Sequence, residues 1–256
     1  MTSSLALHWL GNARAVMTAI EETQLGAIGQ AAELMARSIE SGRWVHTFGC
    51  GHATIPVEEM YPRIGGFVGF HPMLELPLTF FTHITGEMGI HQFLFLERAE
   101  GYGREIMKGY SFDARDTVWI FSHTGINNVN IDVALRAKEL GLKVVATGSA
   151  AEAQRSTPRH SSGKRLFDIA DVVIDTKVPA GDSSVPLPGH VDNVGPVSTM
   201  AFVSVVWMTI TTVAELLASR GVRLHIHPSH NVPGDTTARD RLDAALAEYK
   251  RRAAEL

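Results

Sequence analysis

The stretch 117–147 dictates most of what this chain can fold into. Thr117, Val118, Trp119, Ile120 and Phe121 read as a buried strand, followed at once by the turn Ser122-His123-Thr124-Gly125-Ile126-Asn127. Val129, Val133, Ala137 and Leu140 then recur at helical spacing, Gly141 closes the helix, and Lys143, Val144, Val145, Ala146 and Thr147 supply the next strand. A strand, a helix and a second apolar strand in this order form a βαβ unit, so the two strands lie parallel. Residues 171–175 add a further short strand, and the alternation predicts an α/β fold whose parallel sheet is covered by helices on both faces.

The flanking segments fit that plan. Residues 5–40 read as helix, with Leu25, Ile28, Ala32, Met35 and Ile39 spaced three and four apart and Ser41 and Gly42 as the stop. They are expected to cap the sheet or a partner. Residues 44–48 form a short strand pattern that ends in Gly49-Cys50-Gly51-His52, after which 53–61 can start a helix. Residues 66–70 are a weaker strand, 71–91 an irregular aromatic and histidine-rich stretch, 93–108 a helix, and 149–164 an exposed polar loop. Residues 200–218 are almost free of charge and long enough to cross a bilayer, interrupted only by Glu215. Their serines and threonines, and the lack of other such spans, assign them to the core or a subunit interface, with no membrane partner expected.

Composition narrows the function. With 256 residues and 45% hydrophobic content, the chain can bury a full core, and 1–256 is expected to be a single domain. A net charge of −4 and a pI near 6.3 give no general attraction to nucleic acid or anionic membranes, so an anion must be caught locally. Cys50 is the only cysteine, which excludes an internal disulfide framework and fits a reducing compartment, with the cytoplasm expected. The first residues lack a secretory signal pattern.

Both glycine-bearing turns follow strands, where parallel sheets bind ligands. Unpaired amides at a helix start, with the helix dipole behind them, stabilise a phosphate or sulfonate, and hydroxyls add donors. Gly49, Cys50, Gly51 and His52 in one turn, and Ser122, His123, Thr124, Gly125 and Asn127 in the other, are therefore the candidate ligand-binding residues. Neither turn is a nucleotide motif, so ATP and NAD are not expected, and no cofactor is called for. His225, His227 and His230 lie close together; such a trio can hold a metal, but proton transfer is the stronger use, and no metal is expected. Lys164 is either a ligand for the anion or a solvated loop charge.

The residues 48–52, Ser122-x-Thr124-Gly125-x-Asn127, the helix and strand 134–147 and the strand 170–175 resemble the sugar isomerase (SIS) domain family over roughly 30–235. The segments 58–66, 97–103 and 159–166 are most similar to an uncharacterised bacterial branch of it. The resemblance implies a three-layer α/β/α sandwich around a doubly wound, five-stranded parallel sheet, a homodimer or higher, and an anionic sugar as the small-molecule ligand. It aligns the family's phosphate loop with Ser122, Thr124, Gly125 and Asn127, where an amide replaces the last hydroxyl; a sulfonate or another acidic terminus also fits. His123 beside the loop can add a charge at slightly acid pH. The chain also resembles N-acetylmuramic acid 6-phosphate etherases, which aligns their catalytic carboxylates with Glu59 and Glu100. Glu97, Arg98 and Arg104 read as a surface ion network. The expectation is an aldose–ketose isomerase using Glu59 or Glu100 with His225, His227 or His230, the histidines acting across a dimer interface; an etherase or lyase, or a non-catalytic sugar-phosphate sensor, are the alternatives.

Overall fold

Short strands buried on both faces are the skeleton of the computed structural model, which describes residues 4–60, 62–80 and 89–256. The strands β1 (Val45–Gly49), β2 (Phe70–Pro72), β3 (Thr117–Phe121), β4 (Lys143–Gly148) and β5 (Val172–Asp175) form one parallel sheet in the order β2-β1-β3-β4-β5. Val45 faces Phe70 on one side and Thr117 on the other, so the winding reverses between β1 and β3. Their carboxyl ends open a crevice there.

Helices follow in chain order: α1 (Ser4–Glu40), α2 (Ile55–Met60) after a tight turn at Gly51–Thr54, α3 (Leu76–Thr79), α4 (Ile90–Leu96), α5 (Tyr102–Met107) and α6 (Asn128–Glu139). Then come α7 (Ala150–Arg155), α8 (Leu166–Ile169), α9 (Ser198–Ser219) and α10 (Ala238–Ala253), with a hairpin of β6 (Ser183–Val185) and β7 (Val194–Pro196) before α9.

Alternation along β3 sorts the two layers. Trp119 and Phe121 join Ile28, Met35, Phe202, Val206 and Ile210 of α1 and α9 in one core. Val118 and Ile120 point the other way and meet Val129 and Val133 of α6 with Phe48 and Val144. Each fully buried aliphatic or aromatic side chain contributes about 1.5–3 kcal/mol, so both layers are strongly held. The apolar stretch expected in the core or at an interface is α9, and it packs along α1. Among the described residues it is the one helix long and apolar enough to cross a membrane. On the outer side of this pair Leu7, Leu10, Met17 and Leu25 of α1 remain exposed.

The strands expected around 44–48, 117–121, 143–147 and 171–175 are present within a residue or so, as is the long first helix. Other segments differ. The strand expected at 66–70 begins only at Phe70, because Gly65 and Gly69 take positive φ values of 87° and 151°. Residues 65–68 instead pair antiparallel with 225–227: Val68 N donates to His225 O at 3.1 Å and His227 N to Gly66 O at 2.8 Å. The helix expected at 93–108 is split into α4 and α5 at Gly101, whose φ is 92°. The loop expected at 149–164 contains α7, started by Ser149, whose Oγ accepts from Glu152 N at 3.1 Å. Tyr61, at the end of one expected helix, and residues 81–88 of the histidine-rich stretch lie outside the described residues.

At the amino end of the sheet, a polar cluster is sealed inside the protein. Arg43 donates from Nε and Nη2 to the two Asp116 oxygens at 3.1 and 3.0 Å, and Trp44 N donates to Asp116 Oδ1 at 3.0 Å. His46 Nε2 lies 3.4 Å from Asp116 Oδ2, and the Nδ1 atoms of His46 and His71 meet at 3.2 Å. Only one nitrogen of that last pair can carry the shared proton.

Candidate functional site

A cavity of about 300 Å³ opens where the ends of β1 and β3 diverge. Cys50, His52 and Ala53 from the first turn and Ser122, His123, Thr124 and Asn127 from the second line it together, with Phe93 and Asn130. The remaining wall is Asp182, Pro196, Ser198, Thr199 and Phe202, from the hairpin and the first turns of α9.

Glycine makes the first turn possible. A Cβ on Gly49 would stand 2.1 Å from Ala53 O, and Gly51 has a φ of 62° with Phe93 packed on it. Cys50 is buried, its Sγ donating to Asn130 Oδ1 at 3.4 Å, and burial, with the charges of Glu97 and Glu75, pushes its thiol well above the ordinary range. It therefore stays protonated and is no nucleophile.

The second turn is held from three sides. Ser122 N donates to Thr147 O at 2.9 Å, Ser149 N to His123 O at 3.0 Å and Leu166 N to Gly125 O at 2.8 Å. Gly125, at a φ of 67°, turns the chain so that its N donates to Ser122 Oγ at 3.1 Å. Directly behind it α6 begins, and its cap residue Asn127 and first-turn Asn130 line the cavity, the place where helix-start amides suit an anion. Asn127 is not wholly available to a ligand. Its Nδ2 donates to Glu97 Oε2 at 2.6 Å. Glu97 is not part of a surface network: it is buried, and burial raises its carboxyl above the usual range despite Arg98 and Arg159. Nothing in the periodicity around residue 97 marks it as buried; only the break at Gly101 turns it inward.

His123 stands between the two hydroxyls of the turn. Burial lowers its imidazole below 6.5, against the charges of Asp182 and Glu152, so the ring is neutral near neutral pH. Among the described residues neither ring nitrogen has a hydrogen-bond partner, and both are sealed from solvent.

Asp182 was not legible as a site residue. At a φ of 58° it places Oδ1 against Val197 N and Ser198 N, at 2.9 and 2.8 Å, and Oδ2 accepts from Ser198 Oγ at 2.6 Å. The start of α9 thus already holds a carboxylate from its own chain.

The expected acid–base residues lie elsewhere. Glu59 sits on the last turn of α2, its Oε1 accepting from Arg63 Nε at 2.7 Å and Trp207 Nε1 at 3.2 Å, outside the cavity lining. Glu100 is exposed and accepts from the amide and hydroxyl of Ser161, which lower its carboxyl. Asp132 braces that corner, accepting from Gly101 N at 2.6 Å and lying 3.2 Å from His160 Nε2. His225 lines a different cavity with Arg223, Asp235 and Arg241, and the His227 and His230 rings are 6.4 Å apart. Lys164 is exposed in the loop after Ser162 and does not line the first cavity. Among the described residues, no group of three or more His, Cys, Asp or Glu side chains could hold a metal ion.

Comparison with known proteins agrees with this architecture. Residues 8–149 match the model of the SIS domain. A UPF0309 protein of Oceanobacillus iheyensis is 32% identical over 218 residues, covering 85% of this chain and 87% of the relative. A second UPF0309 protein, from Thermoanaerobacter pseudethanolicus, is 31% identical over 237 residues, covering 91% and 92%. Among solved structures, a phosphoheptose isomerase from Francisella tularensis superposes with a TM-score of 0.52 at 14% identity, covering 81% of this chain and 95% of that one. A phosphoheptose isomerase from Neisseria gonorrhoeae gives 0.51 at 13%, covering 82% and 96%. At such identities the likeness is one of fold.

Proposed function

The chain belongs to the SIS domain family, beside bacterial UPF0309 proteins, and from that premise we propose that it interconverts the aldose and ketose forms of a sugar with a phosphate or sulfonate tail. One observation carries the reading: the turns after β1 and β3 converge on a single cavity at the point where the sheet's winding reverses. In this reading the acid tail rests on the start of α6 with Ser122 and Thr124, and the sugar extends towards His52 and Asp182.

Aldose–ketose exchange moves one proton between the first two carbons and one between their oxygens, so it needs a base beside the sugar. Cys50 is locked as a thiol and Asp182 is committed to α9. His52, exposed on the first turn and lining the cavity, is assigned the carbon-bound proton. His225, His227 and His230 enter only as groups supplied by a second copy.

Incubation with a panel of sugar phosphates and sugar sulfonates in heavy water is expected to place deuterium on the sugar's second carbon, read by NMR. His52→Gln is expected to slow that exchange at least ~100-fold with ligand affinity within about threefold of the parent. Glu59→Gln and Glu100→Gln are expected to leave exchange within about threefold, since neither side chain lines the cavity. Undiminished exchange in the His52 variant removes its assignment. A sensor that binds the same sugar without turnover is the second reading, favoured by the absence of Glu59 and Glu100 from the cavity wall; binding without deuterium incorporation would establish it. The etherase alternative rested on those two carboxylates.

A homodimer through α1 belongs to the same proposal. If two α1 helices pair antiparallel about Met17 and Thr18, the exposed Leu10 meets Leu25 of the second copy and Arg14 meets Glu21. Met17→Glu is expected to yield monomers in analytical ultracentrifugation, and an unchanged mass would exclude this interface.

A further inference from the structure

The cavity's charge does not suit an anion as it stands. Its lining, among the described residues, contains no lysine or arginine, and Asp182 adds a carboxylate. Backbone amides and hydroxyls stabilise an anion, but a net charge brought beside Asp182 calls for a cation close by. His52 and His123 are the lining side chains able to become one, and only His123 lies within the anion-binding turn itself.

We propose that His123 is the cradle's conditional cation, neutral while the cavity is empty and protonated when an anion settles on residues 122–127. The inference rests on the anion-binding reading above and concerns how that binding is powered. Its first support is geometric. The imidazole is partly buried, and its two nitrogens, sealed and unpartnered among the described residues, are destabilised until a partner arrives and so call for an explanation. The backbone at His123 is fixed through Ser149 N, so only the ring is free to respond. A half-turn about Cβ–Cγ exchanges each nitrogen with a ring carbon while leaving the ring's outline unchanged, so the ring can re-aim a donor without repacking. The second support is electrostatic. Asp182, before the hairpin, and Glu152, on α7, favour the charged ring, while burial opposes it; His52 and Cys50 are the other titratable groups of the wall. An anion within hydrogen-bond reach tips this balance.

Proton uptake must then accompany binding at any pH between the empty value of His123, which burial holds below the ordinary imidazole range, and the higher value it takes beside the anion. Affinity falls as pH rises, by up to ~10-fold per unit above the occupied value. Isothermal titration of the full chain with inorganic sulfate, which does not titrate near neutrality, in buffers of different ionisation enthalpy measures the uptake directly. The expected result is roughly half to one proton per sulfate near pH 6.5, with uptake and pH dependence both lost in His123→Gln and His123→Asn. Sulfate binding by the parent protein with no proton uptake overturns the proposal, as does uptake that persists in both variants. Failure of sulfate to bind at any pH instead removes the anion cradle itself, and the inference with it. The measurement on the unmodified protein holds whether or not the variants fold.

Discussion

Alanine in place of Gly148 is expected to cost at least about 3 kcal/mol of stability and to abolish anion binding. Its Cβ would stand 1.9 Å from Ser122 O and 2.7 Å from the Phe167 ring. The nearer obstacle is backbone, tied by Ser122 N to Thr147 O on the adjoining strand, so relief requires lifting the turn proposed to cradle the anion. Gly163 is the control: its φ is 68° but nothing lies within 4 Å of a Cβ there. Gly163→Ala should therefore lose only about 1 kcal/mol, the penalty of backbone conformation alone. Urea unfolding followed by tryptophan fluorescence measures both, and a Gly148→Ala midpoint close to that of Gly163→Ala would mean that the turn yields easily.

Acidification is expected to destabilise the protein steeply between pH 6.5 and 4. Burial and the adjacent His46 lower His71 to about 4 from an ordinary 6.5. The unfolded chain thus binds this proton at higher pH than the folded one, so the contribution is full above 6.5 and is lost as pH falls towards 4, by up to about 3 kcal/mol. Geometry gives the same sign, because two protonated rings cannot share the Nδ1–Nδ1 contact. Below 3.8 a second loss follows. Burial opposes charge on Asp116, but His46, Arg43 and two backbone amides outweigh it and hold the carboxyl at about 2. Thermal melts across this range check the slope, and His71→Gln should flatten the upper part; a parent whose melting temperature stays level from pH 6.5 to 4 would contradict the account.

The sheet was readable because its strands are short, β-branched and separated by glycine-bearing turns, so period and punctuation agree from Thr117 to Asp175. The two cavity-forming turns were readable for the same reason. What stayed hidden depends on contacts between distant segments. Asp182 reaches the site through a hairpin anchored by Trp9 Nε1, which donates to Pro196 O at 3.2 Å, and Gly195 must lack a side chain because Trp9 fills that space. Glu97 looks like any helical glutamate until Gly101 breaks the helix and Asn127 claims its carboxylate. Glu59 and Glu100 carried the opposite risk: their spacing suggested chemistry, yet Trp207 and Ser161 occupy them. A motif records neighbours along the chain and not the direction in which a side chain ends up pointing.

Both α6 and α9 begin at the cavity, and Asp182 already fills the start of α9. On the proposed reading, a guest bearing acid at a single end has one docking polarity, acid tail against α6 and sugar end towards Asp182. A sugar acidified at both termini meets repulsion at the far berth, so mono-acid guests should outcompete their doubly acidic counterparts of equal length.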